Sequence, residues 1–478
     1  MLCAAILRVA YLIFLGAGFL SAAEHWIKLT SPNFQMYTTN SEAKAIDALR
    51  IFEEARDFFA ANSPSKSMPD TPVEIIAFNS EKQYVPYRVN KASIAYYQRG
   101  HKCDYIVMQQ LGRTYFPAAI HEYTHLFIEH LDLHLPLWLN EGLADVYSSL
   151  QPRDNKLMVG APPPGRLNAL MAFGPLDVRV LLNVNRESDY YNNARAMAQF
   201  YAQSWELAHM LLLGKSYRKG FPRFLSELSE GKTAEQAFAD VYQKSLDEVN
   251  LDLRGYLALG NITVNFFDIH LDDKQLKPEI ADPPPLELEL VLADLWSTHP
   301  ETTEQARVRL KQLASEMPNS PDVQESLAYV AWQQRKLDEA KQHFDQALAN
   351  GARDAKMLFN YAGLLHDMHA PPAQIMPLLE QAIQLTPDFY DARYDLGMEA
   401  VRANDCGAAI AAFTGIKTVN AERAFPFFST QAYCYWRLDN AKEARRLGEL
   451  AKQYATTPDE TSRIQNFLDQ LNRVSPPQ

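Results

Sequence analysis

His121-Glu122-Tyr123-Thr124-His125, followed by Trp138-Leu139-Asn140-Glu141-Gly142-Leu143-Ala144-Asp145, decides the reading of this chain. On a helix, positions i and i+4 share a face, so the imidazoles of His121 and His125 can meet one metal ion. Glu122 sits beside the first ligand, where a general base for a water molecule belongs. Pro117 and the run Ala118-Ala119-Ile120 favour a helix start just upstream. Glu141 follows sixteen residues after His125, in the first turn of a second helix opened by Pro136 and Leu137. Asp145 falls four residues further on the same face. A catalytic zinc takes three protein ligands and keeps one position open, and His121, His125 and Glu141 supply the three. A ligating imidazole gives its other N–H to a carboxylate or carbonyl, and Asp145 is placed to accept it from His121. One Zn2+ per chain is the expectation.

Upstream of this pair of helices, strands and helices alternate. Phe34 to Thr39, Pro72 to Phe78, Ser93 to Tyr97 and Tyr105 to Gln109 read as strands, and Ser41 to Ala60 as an amphipathic helix. Thr114 to Leu131 turns helical again, and the remainder to about Leu259 is mostly helical. Mixed strands first and helices after predict an α+β domain. Asp282-Pro283-Pro284-Pro285 then interrupts every regular pattern and reads as a stiff linker.

Beyond the prolines the chain repeats itself. Ala306, Ala340, Ala409 and Ala444 recur at gaps of 34, 69 and 35. Leu313, Ala347, Ala382, Ile416 and Ala451 recur at 34 or 35, as do Leu310, Phe344, Leu379, Phe413 and Gly448. Small residues let two helices approach, and large ones fill the groove to the next unit; this spacing matches tetratricopeptide-type (TPR) helix pairs. Four units run from about Pro321, a degenerate one precedes them from Leu286 to Pro318, and the polar end after Thr456 caps the stack.

Composition bounds the partners. With 46 Lys+Arg against 58 Asp+Glu the net charge is −12, which argues against nucleic acid and against an anionic membrane surface. Four cysteines in 478 residues exclude a disulfide-framework protein. Arg8, the apolar run Val9 to Leu20 and Ser21-Ala22-Ala23 form the pattern of a cleaved secretory signal, with an uncleaved anchor as the alternative. Cleavage after Ala23 leaves Cys103, Cys406 and Cys434, of which Cys406 and Cys434 either pair between stacked helices or are simply buried thiols. No later stretch is apolar enough to span a bilayer.

The HExxH helix followed by N-E-G-x-A-D is similar to the gluzincin zinc metallopeptidases. It resembles more closely the bacterial peptidase MA-like families, which share W-L-N-E-G-L-A. They also share a helix like Phe200-Tyr201-Ala202-Gln203-Ser204-Trp205 and a stretch like Gly231 to Val241. The likeness covers about Trp26 to Leu259. It implies a zincin-like α+β domain (24–281); the signal pattern (1–23), the proline linker (282–285) and the separate resemblance to an all-α TPR-type solenoid (286–478) complete the expected domain order. It implies zinc-dependent hydrolysis of peptide bonds in peptide or protein substrates, with Glu122 as base. Tyr201 is the implied hydrogen-bond donor to the tetrahedral intermediate, with His209 as the alternative. The strand Ser93 to Tyr97, followed by Arg99-Gly100-His101-Lys102, resembles the edge strand along a gluzincin cleft, which holds substrate by added β-pairing. His130, off the face of His125, and His134 are expected in solvent, like Asp272-Asp273-Lys274.

The signal and the likeness together imply the periplasm of a Gram-negative bacterium, with the repeats holding a protein partner or substrate. A second reading is a non-catalytic envelope scaffold in which the zinc site is structural. Glu122 separates the two, because a structural site needs no acid there.

Overall fold

The computed structural model describes residues 25–62, 73–91, 93–131, 133, 135–153, 155–163, 165–229, 231–257, 262–271, 276–417, 419 and 421–474. The expected signal segment 1–23, His134 and the charges at 272–274 lie outside the described residues.

The chain opens with β1 (Ile27–Thr30), β2 (Phe34–Thr38), α1 (Glu42–Asn62), β3 (Val73–Ala77), the single turn α2 (Glu81–Tyr84), β4 (Ala95–Arg99) and β5 (Asp104–Met108). The motif helices α3 (Phe116–His130) and α4 (Leu137–Tyr147) follow. Then come β6 (Gln151–Arg153), β7 (Lys156–Val159), α5 (Arg166–Phe173), α6 (Val178–Leu182), α7 (Asp189–Asn192) and the long α8 (Ala194–Leu213). Helices α9 (Phe221–Ser229), α10 (Ala234–Tyr242) and α11 (Leu246–Tyr256) precede β8 (Asn265–Asp268) and β9 (Glu279–Ala281). Strands β6, β7 and β8 make a small antiparallel sheet.

The main sheet has the order β4-β5-β3-β2-β1-β9. Its centre is parallel, β2 to β3 and β3 to β5, and its flanks are antiparallel. Alternation along each central strand divides two cores. Phe34, Met36, Ile75, Ile106 and Met108 face the core shared with α1 and α3, whereas Tyr37, Ile76, Tyr105 and Val107 face the other side. A sheet buried on both faces requires apolar residues at successive positions, which these strands have.

The second face is covered by α12 (Pro285–Ser297), through Val291 and Leu295. This helix also contributes Ala293 to the first core of the repeats. The prolines at 283–285 therefore turn the chain from the sheet edge, at β9, onto the sheet face; they do not space two bodies apart.

Residues 285–474 form a TPR-type helical solenoid. The pairs are α12 with α13 (Thr303–Glu316), α14 (Pro321–Gln333) with α15 (Leu337–Ala349), α16 (Ala355–Asp367) with α17 (Pro372–Leu385), α18 (Tyr390–Arg402) with α19 (Cys406–Thr414), and α20 (Ala421–Arg437) with α21 (Ala441–Gln453). The repeating alanines Ala306, Ala340, Ala409 and Ala444 are all fully buried. Four pairs also turn on a left-handed residue at the same place: Arg335 (φ 58), His369 (φ 57), Asn404 (φ 63) and Asp439 (φ 58). The series departs from large residues at Gly448 because α22 (Pro458–Val474) lies there: a Cβ would stand 2.8 Å from Leu468. Cys406 and Cys434 are free thiols packed in one apolar cluster of α19 and α20, and Cys103 is free as well. Among the described residues no helix is long and apolar enough to cross a membrane.

Candidate metal centre

β5 delivers the chain to α3 through Gly112, whose φ of +145 suits glycine and whose carbonyl accepts from the N–H groups of Tyr115 and Phe116. Pro117 falls in the first turn of α3. His121 and His125 then lie one turn apart, their rings 4.7 Å between centroids and nearly perpendicular. Helix α4 brings Glu141 against them.

The three candidate ligand atoms converge. The two Nε2 atoms are 3.1 Å apart, and Glu141 Oε2 stands 3.4 Å from that of His121 and 3.5 Å from that of His125. Bonds of roughly 2.0–2.1 Å to a tetrahedral zinc would place ligand atoms roughly 3.3 Å apart, so the spacing fits that ion. Glu141 is buried, and among the described residues its Oε2 makes no hydrogen bond of good geometry but faces the two imidazoles, so its charge calls for a cation or protonated rings at that point.

Each imidazole is oriented from behind. Asp145 Oδ1 lies 3.1 Å from Nδ1 of His121, and Asn140 Oδ1 lies 2.7 Å from Nδ1 of His125. Accepting the Nδ1–H leaves Nε2 bare toward the centre. Asp145 is itself gripped by Arg166, Nε to Oδ2 at 2.6 Å and Nη2 to Oδ1 at 3.0 Å. Without a cation, protons take its place. Burial would lower His121, but the bond to Asp145 and the nearby carboxylate of Glu141 push it up to about 10. Burial would raise Glu141, yet the two imidazoles hold its carboxyl well below the usual range.

Glu122 lies on the cleft side of α3. Its Oε2 accepts the backbone N–H of Tyr97 at 2.9 Å. Burial raises its carboxyl above the ordinary carboxylate range, against the pull of the two imidazoles and of that N–H. Tyr97 belongs to the edge strand β4. Ile94 O and Gly100 N bond toward the β5 side, so in an antiparallel ladder the odd residues, Tyr97 among them, turn their N–H outward to the cleft.

Tyr201 reaches the same cleft from α8. Burial, then the charge of Glu141, lifts its phenol far above its ordinary value, so it stays a donor. The Arg166 guanidinium lies 4.9 Å above its ring. Close crossing of α4 and α8 makes this possible: at Gly142 an added Cβ would sit 2.4 Å from Ser204 O and 2.8 Å from Ala208 Cβ. The cleft encloses about 590 Å³, with Glu122, Glu141, Arg186, Tyr191 and Tyr201 on its polar side and Ile128, Leu133, Leu135 and Leu137 as an apolar wall.

The structure thus brings together His121, Glu122, His125, Glu141, Asp145 and Tyr201. Two expectations are corrected. His209 is fully buried between Gly160 O at 2.9 Å and the Tyr256 hydroxyl at 2.8 Å, away from the cleft. His130 is not in solvent; its Nε2 meets Asp104 Oδ2 at 2.6 Å, because α3 packs against the end of β5. Sequence reasoning missed Asn140, Arg166 and the Tyr97 N–H. Asn140 stood in the motif itself, one residue before a ligand. Arg166 lies in a loop-to-helix junction with no periodic relation to the motif, and a backbone N–H carries no residue signal at all.

No protein-family model matches the chain, and no curated protein matches it. Among solved structures it is similar to YrrB, described as a TPR protein with an unusual peptide-binding site, at 18% identity over 37% of this chain and 90% of that one, with a TM-score of 0.34. PilF of Pseudomonas aeruginosa is 21% identical over 40% of this chain and 92% of its own, with a TM-score of 0.30. MamA is 16% identical over 36% and 97%, also at 0.30.

Proposed function

We propose that this protein is a zinc-dependent peptidase of the cell envelope with a gluzincin-like site, and that its repeats bind a protein partner or substrate. The observation that carries this reading is the convergence of two Nε2 atoms and one buried carboxylate oxygen at tetrahedral spacing, with a second carboxylate, Glu122, beside them in an open cleft. A purely structural site has no use for Glu122 or for an open volume of about 590 Å³.

His121, His125 and Glu141 would hold the ion. Zinc, when bound, supplies Lewis-acid polarisation of a carbonyl and lowers the pKa of water toward ~7. Glu122 takes the proton of the attacking water and passes it to the leaving amine. Its raised pKa keeps it closer to the working pH than an ordinary carboxylate. Tyr201 donates its O–H to the oxyanion that develops on the scissile carbonyl. Asp145 and Asn140 fix the two imidazoles, and Arg166 fixes Asp145. The outer edge of β4 offers an extended substrate a strand to pair with.

The test pairs zinc content with cleavage of a denatured-protein mixture read by mass spectrometry. Zinc near one per chain, lost in His125→Ala, with cleavage abolished in Glu122→Gln while its zinc is kept, is the expected result. A wild type without zinc would sink the reading.

A further inference from the structure

The turn between β4 and β5 does not end in solvent. It enters the face that the first helices of the repeat pairs present. The His101 ring stacks on Tyr329 of α14, 4.4 Å between centroids and 3° from parallel. Gln333 reaches Nε2 of His101 at 2.9 Å, and Asn360 of α16 donates to the His101 carbonyl at 3.2 Å. Lys102 pairs with Glu325 at 2.9 Å and with Asp322 at 3.7 Å. Glu325, Tyr329 and Gln333 are spaced by four, so one stripe of α14 meets both side chains, with Asp322 and with Asn360 of α16 beside it. Tyr329 also donates to Glu325 at 2.8 Å and receives from Asn360 at 3.0 Å, which holds the stripe in shape without the hairpin.

This is how a ligand sits in a helical solenoid, here supplied by the chain itself. The groove does not stop at the hairpin. A cavity of about 610 Å³ continues beside it, bounded by Arg99, Lys102, Asp354, Lys356 and Phe389, and gives a competing segment room to enter. On its other side the hairpin is the end of β4, an edge strand bonded to the sheet along one side only. Arg99, the last residue of β4, meets Glu129 at 3.0 Å, and two residues earlier Tyr97 gives its N–H to Glu122. The repeats therefore grip a lever whose other end touches the carboxylate of the cleft.

We propose that the stripe Glu325–Tyr329–Gln333 with Asn360 is a ligand groove occupied by this chain's own His101 and Lys102. A partner's extended basic segment, carrying a ring beside a lysine, displaces them, loosens β4 and lowers turnover by withdrawing the Tyr97 N–H from Glu122. The class of partner follows from the occupant: an acidic pair receives the ammonium and a tyrosine face receives the ring. The effect on turnover rests on the peptidase reading; the groove and the lever do not. His101, Lys102, Tyr329 and Glu325 are positioning residues, far from the reacting atoms.

The experiment uses the full chain and the double variant His101→Ala/Lys102→Ala, which leaves the repeat helices untouched. A fluorescent peptide with the sequence of residues 98–104, carrying Cys103→Ser, should bind the variant at least about tenfold tighter than wild type, whose groove is filled. Amide exchange at 95–99 should quicken at least about tenfold in the variant. Its kcat on unfolded protein should fall about fivefold at unchanged KM and zinc content, as expected for lost positioning. Equal peptide binding by both forms, binding by neither, unchanged exchange at 95–99, or turnover at or above wild type would each overturn the proposal. A wild type that cleaves nothing defeats the peptidase reading alone, because the peptide and exchange measurements still decide the groove.

Discussion

Asn140 Oδ1 lies 2.7 Å from Nδ1 of His125, so the residue before Glu141 orients the second imidazole. Asp145 does the same for His121 from one turn further along α4. One helix therefore supplies the candidate ligand Glu141 and both orienting groups. The register of α4 against α3 sets the whole centre.

Removing either orienting group should weaken metal binding without unfolding the protein. Asn140→Ala and Asp145→Asn are each expected to lower zinc affinity by about 10–100-fold. Asp145→Asn also strips Arg166 of its charged partner, so it should be the more damaging of the two. Competition against a chelator measures both, and an affinity equal to wild type in both variants would deny the orienting role.

Tyr201→Phe removes a hydroxyl and little else. Its ring keeps the Arg166 cation above it and its place beside Phe200 and Tyr191. Zinc content should hold. Loss of one donor aimed at developing negative charge lowers kcat by about 10²–10³-fold. KM should change little, because the bond strengthens only as charge develops. A fall in KM-controlled binding alone would place Tyr201 in substrate recognition instead.

Much of this was legible in the sequence, and the losses have physical causes. Phe34 to Thr39 reads as a strand and is β2, because its β-prone residues follow directly on the turn at Ser31-Pro32-Asn33. The helix pairs were legible because each unit repeats the same small-residue contact every 34 or 35 residues. β9 was not: Glu279, Ile280 and Ala281 are exposed, and only pairing with β1 makes them a strand. The two corrected histidines fail for one reason. Helical phase says which side of α3 or α8 a ring leaves by, but not that Asp104 or Gly160 waits there. The cluster of His121, His125 and Glu141 was legible because its spacing lies within two helices. Arg166 and the hairpin in the repeat groove depend on long-range packing that no local pattern encodes.

Gly142→Ala tests that packing. The new methyl would meet Ser204 O at 2.4 Å, a backbone atom that cannot rotate aside. Forcing α4 from α8 costs about 1–3 kcal/mol, so Tm should fall by roughly 2–10 °C. The same shift separates Glu141 from Tyr201, and kcat should drop further than stability alone explains. Thermal melts beside single-turnover rates distinguish the two effects, and an unchanged Tm would refute the close crossing.

Zinc binding should depend on pH in a direction fixed by His121. In the metal-free protein its pKa is raised to about 10 by Asp145 and Glu141, above the ordinary value of 6.5, despite burial. The charged ring therefore stabilises the metal-free fold fully below about pH 6.5, and that contribution is lost as pH rises through the folded value. Zinc must displace this proton, so affinity should rise with pH, by about tenfold per unit for one proton released, until His121 is neutral without help. Glu141 behaves oppositely: its depressed pKa keeps it ionised throughout this range, and its stabilising effect disappears only in acid. Zinc affinity measured by chelator competition between about pH 6.5 and 8.5 should climb in wild type. It should climb less steeply in Asp145→Asn, where the charge that holds the proton on His121 is gone. An affinity flat with pH in wild type would mean that no proton is displaced and that His121 is not a ligand.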